Sequence, residues 1–152
     1  IGGDIDVYNG DKKISKNKPF KVIIAGSREF TDYKLLEQKC DSILSSIKDE
    51  IIIISGTAKG SDILGEKYAQ NRGYYVMECP AQWNDIEGKP LNQIGTNSTG
   101  QKYWKLAGHH RNELMAQEAD ALIAFNRGTS GTQNMLSLAQ RYGLKIREIK
   151  IK

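Results

Sequence analysis

From Phe20 onward the chain alternates short apolar runs with longer amphipathic stretches. Five runs have the length and character of strands: Lys21–Ala25, Glu50–Ser55, Tyr74–Cys79, Asp120–Phe125 and Lys145–Ile151. The stretches between them read as helices. In Asp32–Lys48, Leu36, Cys40, Ile43, Leu44 and Ile47 recur at spacings of three and four, which puts them on one face, and Asp32 stands at the N-cap. Asp62–Arg72 stops at Gly73 and Thr132–Tyr142 at Gly143, each glycine sitting where a left-handed C-terminal cap is wanted. Ala107–Ala119 is the fourth helix. Strand and helix in alternation imply right-handed crossovers and a parallel sheet covered on both faces.

The strands also sort by burial. Val22-Ile23-Ile24, Ile51-Ile52-Ile53-Ile54 and Leu122-Ile123-Ala124-Phe125 are continuous apolar runs, as central parallel strands are, whereas the third and fifth strands carry polar residues among their apolar ones. A Rossmann-like order 3-2-1-4-5 satisfies this sorting and sets a topological switch point between the first and fourth strands. Ligands of such sheets bind beyond the carboxyl ends of the strands, so the loops there carry the expected function.

Those loops are Gly26-Ser27-Arg28-Glu29-Phe30, Ser55-Gly56-Thr57-Ala58-Lys59-Gly60-Ser61-Asp62 and Asn126-Arg127-Gly128-Thr129-Ser130-Gly131-Thr132. Glycine admits close backbone approach, hydroxyls add donors, and a helix N-terminus offers unpaired N–H groups with partial positive charge, which together suit a phosphate. Gly26, Ser27, Arg28, Ser55, Gly56, Thr57, Lys59, Gly60, Asp62, Gly128, Thr129, Ser130, Gly131 and Thr132 are the candidate ligand-binding residues of the three loops, joined by Trp83, Arg111 and Asn112. No Walker A pattern is present, nor a GxGxxG followed by an acidic residue on the next strand, which disfavours an ATPase or a conventional NAD dehydrogenase. Two readings stand for several residues. Arg28 either meets a ligand or pairs with Asp32 or Asp62; Lys59 and Arg127 either meet a ligand or are solvated; Asp62 is either a helix N-cap or an acceptor for ribose hydroxyls. Trp83, Tyr103 and Trp104 either stack on a base or pack the segment that carries them against the sheet edge.

Composition narrows the class. With 152 residues, 39% apolar and 26% charged, the chain is one soluble domain with a core large enough to need no staples. The longest apolar run, Ile51–Ile54, is strand-sized, so no membrane span is expected. A net charge of +4 permits an anionic ligand but falls short of a duplex-DNA track, and a nucleic-acid partner is not expected. Cys40 and Cys79 make no disulfide framework, and His109-His110 lacks a third ligand at metal spacing, so neither a metal nor a required cofactor is expected. No signal-peptide pattern stands at the start, and the chain opens on Ile1 rather than Met, as a trimmed piece of a longer protein does; the expected compartment is the cytoplasm. Residues 1–20 read as a poorly structured leader, residues 21–152 as the domain, and residues 84–106 as a long insertion within it.

Taken in order, Val22-Ile23-Ile24-Ala25-Gly26-Ser27-Arg28-Glu29-Phe30, Ser55-Gly56-Thr57-Ala58-Lys59-Gly60-Ser61-Asp62, Pro80-Ala81-Gln82-Trp83, Ala107-Gly108-His109-His110-Arg111-Asn112 and Gly128-Thr129-Ser130-Gly131-Thr132-Gln133-Asn134-Met135 resemble the YspA-like branch of the SLOG superfamily. That superfamily includes the Lonely guy phosphoribohydrolases, the DNA-processing protein A and sensor domains of bacterial defence systems. The resemblance implies a Rossmann-like fold, a pocket for a nucleotide-derived ligand, a bacterial or phage origin and a homo-oligomer. His110-Arg111-Asn112 is similar to the Lonely guy helical motif and puts Arg111 where those enzymes use a catalytic arginine. Their PGGxGTxxE signature is matched by Gly128, Gly131 and Thr132, but its glutamate position falls on Met135. Asp62 and Glu113 are the acids left to substitute, so ligand binding ranks above phosphoribohydrolase activity, and single-stranded nucleic-acid binding ranks third.

Overall fold

The computed structural model describes residues 18–151. The leader read over residues 1–20 therefore lies outside the described residues, save for its last three, and Phe20 opens the first strand. The elements are β1 (Phe20–Gly26), α1 (Tyr33–Leu44), β2 (Ile51–Ser55), α2 (Ser61–Arg72), β3 (Tyr75–Glu78), a 3-10 turn (Leu91–Gln93), β4 (Ile94–Thr96), β5 (Lys102–Trp104), α3 (Ala107–Glu118), β6 (Ala121–Asn126), α4 (Ser130–Arg141) and β7 (Lys145–Lys150). The main sheet runs β3-β2-β1-β6-β7, all parallel. This is the expected 3-2-1-4-5 order, with β6 and β7 as the fourth and fifth strands of the sheet.

Burial follows the apolar runs. β6 is buried along its whole length and β1 and β2 over most of theirs, while β7 alternates exposed and half-buried residues as an edge strand does. Side chains of β1 alternate between two cores. Val22 and Ile24 pack with Leu36, Cys40 and Tyr68 beneath α1 and α2; Ile23 and Ala25 pack with Met115, Met135 and Ala139 beneath α3 and α4. Asp32 caps α1 by accepting the Leu35 N–H at 3.1 Å, and Gly73 closes α2 at φ 75°.

Most element ends shift by one or two residues, as where α4 begins at Ser130 rather than Thr132, and two differences are larger. α1 ends at Leu44, where the chain tightens into an Ile47 N–H to Leu44 carbonyl bond; Ile47 still packs on the core, so the apolar periodicity outlasts the helix. The segment from residue 84 to 106 holds a two-stranded antiparallel hairpin, β4–β5, where no element was expected. Its strands are three residues long, too short for a periodic signal. Local chemistry builds the turn: the Asn97 side chain accepts from the Thr99 and Gln101 N–H groups, and Gly100 sits at φ 85°. The Tyr103 ring lies across Gly95, where a Cβ would come within 2.7 Å of it.

Candidate functional site

Three loops at the carboxyl edge of the sheet are turned by one device. The Ser27 hydroxyl after β1 accepts the Glu29 N–H (3.0 Å), the Ser55 hydroxyl at the end of β2 accepts that of Thr57 (3.0 Å), and the Asn126 amide oxygen at the end of β6 accepts that of Gly128 (2.7 Å). Each polar side chain thus bonds the backbone two residues on, which turns the chain sharply off the strand. Ser55 also donates to Glu66 (2.5 Å) and Asn126 to Glu148 (2.7 Å), so these two groups are engaged in holding the edge together.

Beyond these turns lies a cavity of about 490 Å³. Its floor is Ala25, Met115 and Met135; its walls are Gly26-Ser27-Arg28-Glu29 from the β1 loop, Ala58 and Asp62 at the start of α2, Gly108, His109, Arg111 and Asn112 at the start of α3, and Thr129–Thr132 at the start of α4. Trp83 and Lys105 complete the rim. Whereas α1 is capped by Asp32, α2, α3 and α4 have no side-chain cap, and all three begin at this cavity. The first intrahelical bonds are Gln133 N–H to Thr129 in α4 (3.1 Å) and His110 N–H to Leu106 in α3 (2.9 Å), so the N–H groups of Ser130, Gly131 and Thr132, and of Gly108 and His109, precede the helical ladder. Uncapped N-termini concentrate partial positive charge.

The side chains reinforce that sign. Arg111 donates from Nη1 to the Gly56 carbonyl and from Nε to Asn112 (2.9 Å), and Asn112 donates in turn to Asn134 on α4 (2.9 Å). Guanidinium orientation is thereby fixed, and Nη2 has no protein partner among the described residues. Burial pulls the Arg111 pKa down, and Arg28 across the cavity adds to the effect. Asp62 lies opposite, its Oδ2 accepting the Ala58 N–H at 3.1 Å. Burial raises its pKa to about 6 against the opposing pull of that hydrogen bond and of Arg111.

Residues 20–85 match the model of the YspA, cpYpsA-related SLOG family, a span that covers the loops after β1 and β2 and reaches Trp83. Over this segment, fewer than half of the 152 residues, the chain is similar to that family. No curated protein matches it. Among solved structures it is similar to the DNA processing protein A of Streptococcus pneumoniae, at a TM-score of 0.64 and 18% identity over 88% of this chain and 51% of that one. It is also similar to the molybdenum cofactor binding protein of Rippkaea orientalis, at a TM-score of 0.60 and 13% identity over 90% of this chain and 80% of that one. At these identities the likeness is one of fold. The chain spans about half the length of the first of them.

The expected ligand-binding residues divide. Gly26, Ser27, Arg28, Asp62, Trp83, Arg111, Asn112, Thr129, Ser130, Gly131 and Thr132 border the cavity. Ser55, Gly56, Thr57, Lys59, Gly60 and Gly128 do not. Gly56 and Gly60 act on it from behind. A Cβ on Gly56 would come within 2.7 Å of both Arg111 Nη1 and Asp62 Oδ2, and Gly60 at φ 77° is the N-cap of α2, pressed against the Ser27 carbonyl. Gly60 rather than Asp62 therefore holds the cap position; Asp62 stands in the first turn with its carboxylate turned back to Ala58. Arg28 makes no ion pair with Asp32 or Asp62 among the described residues, and Arg127 approaches Glu29 at 3.9 Å. Glu113 accepts from the Tyr142 hydroxyl (2.7 Å) and does not border the cavity.

The aromatics divide as well. Trp83 faces the cavity, Tyr103 packs edge-on against Trp83 at 6.2 Å, and Trp104 is held between His110 and the Lys89 ammonium. Lys105, His109, Met115 and Met135 border the cavity although the sequence reading did not include them. A signal for three of them exists: Gly108, Arg111 and Met115 follow at spacings of three and four, His109 precedes Asn112 by three, and Met135 follows Gly131 by four, so each shares a helix face with an expected site residue. Among the described residues, no group of three or more His, Cys, Asp or Glu is placed to hold a metal, and no helix is long and apolar enough to cross a membrane.

Proposed function

We propose that this chain binds a nucleotide or nucleotide-derived small molecule in the cavity, with its phosphate against the first turn of α4 and Arg111 and its base toward Trp83. The observation that carries this reading is the convergence of three uncapped helix starts and the two arginines Arg28 and Arg111 on one cavity that has an aromatic wall. A fixed guanidinium whose Nη2 has no partner among the described residues offers an anion a donor that needs no reorganisation on binding. The fold neighbour described as a molybdenum cofactor binding protein agrees with a small-molecule site on such a scaffold.

The test is thermal stabilisation by mono-, di- and cyclic nucleotides and ADP-ribose, repeated on Gly131→Asp. A Cβ at Gly131 has nothing within 4 Å, so the aspartate fits without a clash and only sets a negative charge where the phosphate is proposed to lie. A ligand at one hundred times its Kd stabilises the folded state by about 2.7 kcal/mol. Stabilisation of the natural chain that disappears in Gly131→Asp and in Arg111→Ala is expected; no shift with any member of the panel overturns the reading.

A second reading, phosphoribohydrolase activity, rests on Asp62. It is a cavity-lining carboxyl whose pKa of about 6 suits a proton donor to a departing base at neutral pH. Release of free base from AMP that is lost in Asp62→Asn supports it, and intact AMP after prolonged incubation at high protein concentration rejects it.

A further inference from the structure

The cavity holds a half-buried carboxylate among its cations, which is an odd component for a site that takes an anion. Asp62 Oδ2 is tied to the Ala58 N–H, while Arg111 donates to the Gly56 carbonyl and to Asn112 rather than to Asp62. The two groups instead flank the gap above Gly56, each 2.7 Å from where a Cβ there would stand. The charged groups around Asp62 are Arg28 from the β1 loop, Glu66 one turn further along α2, and Arg111 from α3. Glu29, Lys105 and His109 line the cavity further along its wall, and the start of α4 brings Thr129 to Thr132, none of them charged.

Resting on the anion-site reading above, we infer that Asp62 determines which ligands the cavity accepts, by taking up a proton as the anion arrives: the neutral carboxyl keeps the Ala58 bond on Oδ2 and turns the proton on Oδ1 to an anion oxygen. The proton comes from solvent, and no bond in the ligand breaks. A phosphate against the first turn of α4 and Arg111 brings a second negative charge into a cavity that the half-buried Asp62 carboxylate already lines. Two like charges in one cavity each raise the cost of ionising the other, and the carboxylate, desolvated and next to Glu66, is the one that yields. Linkage makes the effect reciprocal: an anion that favours the protonated form binds more weakly as that form is depleted. The site therefore favours anions with an oxygen free to accept the Asp62 O–H and loses affinity for them as the pH rises through neutrality.

Adenosine 5′-sulfate is the probe, because its single charge does not change over the range used, and AMP is run beside it. The Kd of the sulfate for the natural chain is measured by calorimetry at pH 6, 7 and 8, in two buffers of different ionisation enthalpy. The expected result is a Kd that rises roughly tenfold or more from pH 6 to pH 8, with proton uptake approaching one per ligand at pH 7. Asp62→Asn, whose amide oxygen can keep the Ala58 bond and whose NH₂ can face the anion, should bind with a flat pH profile and at pH 8 more tightly than the natural chain. A flat profile without proton uptake in the natural chain overturns the inference while leaving the anion site standing, and so does weaker binding by Asp62→Asn. Absence of binding by both proteins at every pH, with AMP as with the sulfate, overturns the anion-site reading itself and this inference with it. The same measurements on His109→Gln, which should keep the pH profile and the proton uptake, separate Asp62 from the imidazole on the same wall without depending on the Asp62 variant folding, and loss of both in His109→Gln overturns the inference.

Discussion

Replacing Asp62 by asparagine should stabilise the protein at neutral pH, and the size of the effect follows from its surroundings. The carboxyl has a pKa of 3.8 when solvated and about 6 in the fold, because burial at the start of α2 outweighs the Ala58 hydrogen bond and the pull of Arg111 and Arg28. Since the folded value is the higher one, the native state binds the proton more tightly than the unfolded chain. Below pH 3.8 the residue is neutral in both states and contributes no penalty. As the pH rises towards 6 the unfolded chain ionises ahead of the native state, and the penalty grows, then levels off above it. Integrated over that window the penalty is about 3 kcal/mol at pH 7, roughly half of that at pH 5 and small at pH 4. Asparagine mimics the neutral acid in shape and removes the penalty. Urea denaturation of both proteins at pH 4, 5 and 7 should therefore give nearly coincident midpoints at pH 4 and a later one for Asp62→Asn at pH 7, worth roughly 10 °C in a parallel thermal melt. Equal midpoints at pH 7 would refute the desolvation of Asp62. A stabilisation of the same size at pH 4 would assign the gain to packing of the amide instead of to the removed charge.

Gly26→Ala should lower stability by about 2–4 kcal/mol in urea denaturation, since the new methyl falls onto the Ser61 hydroxyl and within 2.7 Å of the Phe125 carbonyl oxygen, which is backbone and cannot step aside. Two glycines at positive φ differ in both strain and crowding, since Gly73 is αL (ψ 22°) and Gly60 lies at ψ −125°, where only glycine is at ease. Gly73→Ala at φ 75° has nothing within 4 Å and should lose about 1 kcal/mol, whereas Gly60→Ala at φ 77° also meets the Ser27 and Arg28 backbone and should lose about 3 kcal/mol or more. Arg72→Ala removes a two-pronged bond to Asp41, at 2.9 and 2.7 Å, that ties α2 to α1. The Arg72 bond holds the Asp41 carboxyl below its usual range, so this contribution is present above pH 3.8 and is lost as the pH falls through the lowered value. Melts of Arg72→Ala and the natural chain should accordingly differ at pH 7 and draw together in acid, and a difference that does not shrink as the pH falls below 3.8 would contradict the assignment.

Strand order was legible because parallel strands advertise their burial. Ile51–Ile54 and Leu122–Phe125 have no polar position, which only a strand covered on both faces tolerates, and that alone sends them to the centre with β1. The turns were legible for a related reason, since serine, asparagine and glycine at strand ends act on their own neighbours, within two or three residues. The hairpin at Ile94–Trp104 was not legible, because three-residue strands carry no period and their pairing is fixed by Asn97 and by the Tyr103 ring over Gly95.

For the candidate site the sequence alone determined which loops meet at the carboxyl edge and that Arg111 heads a helix beside them. Tertiary structure decided which side chains in those loops face a common space. Ser55 turns to Glu66 and Glu113 to Tyr142, whereas Asp62 and Arg111 face each other across Gly56. Sequence spacing fixes a residue's height and face on its own element, but whether that face meets a cavity, a partner or water depends on the element packed opposite. Burial, which decides the charge Asp62 carries, belongs to all of those elements together.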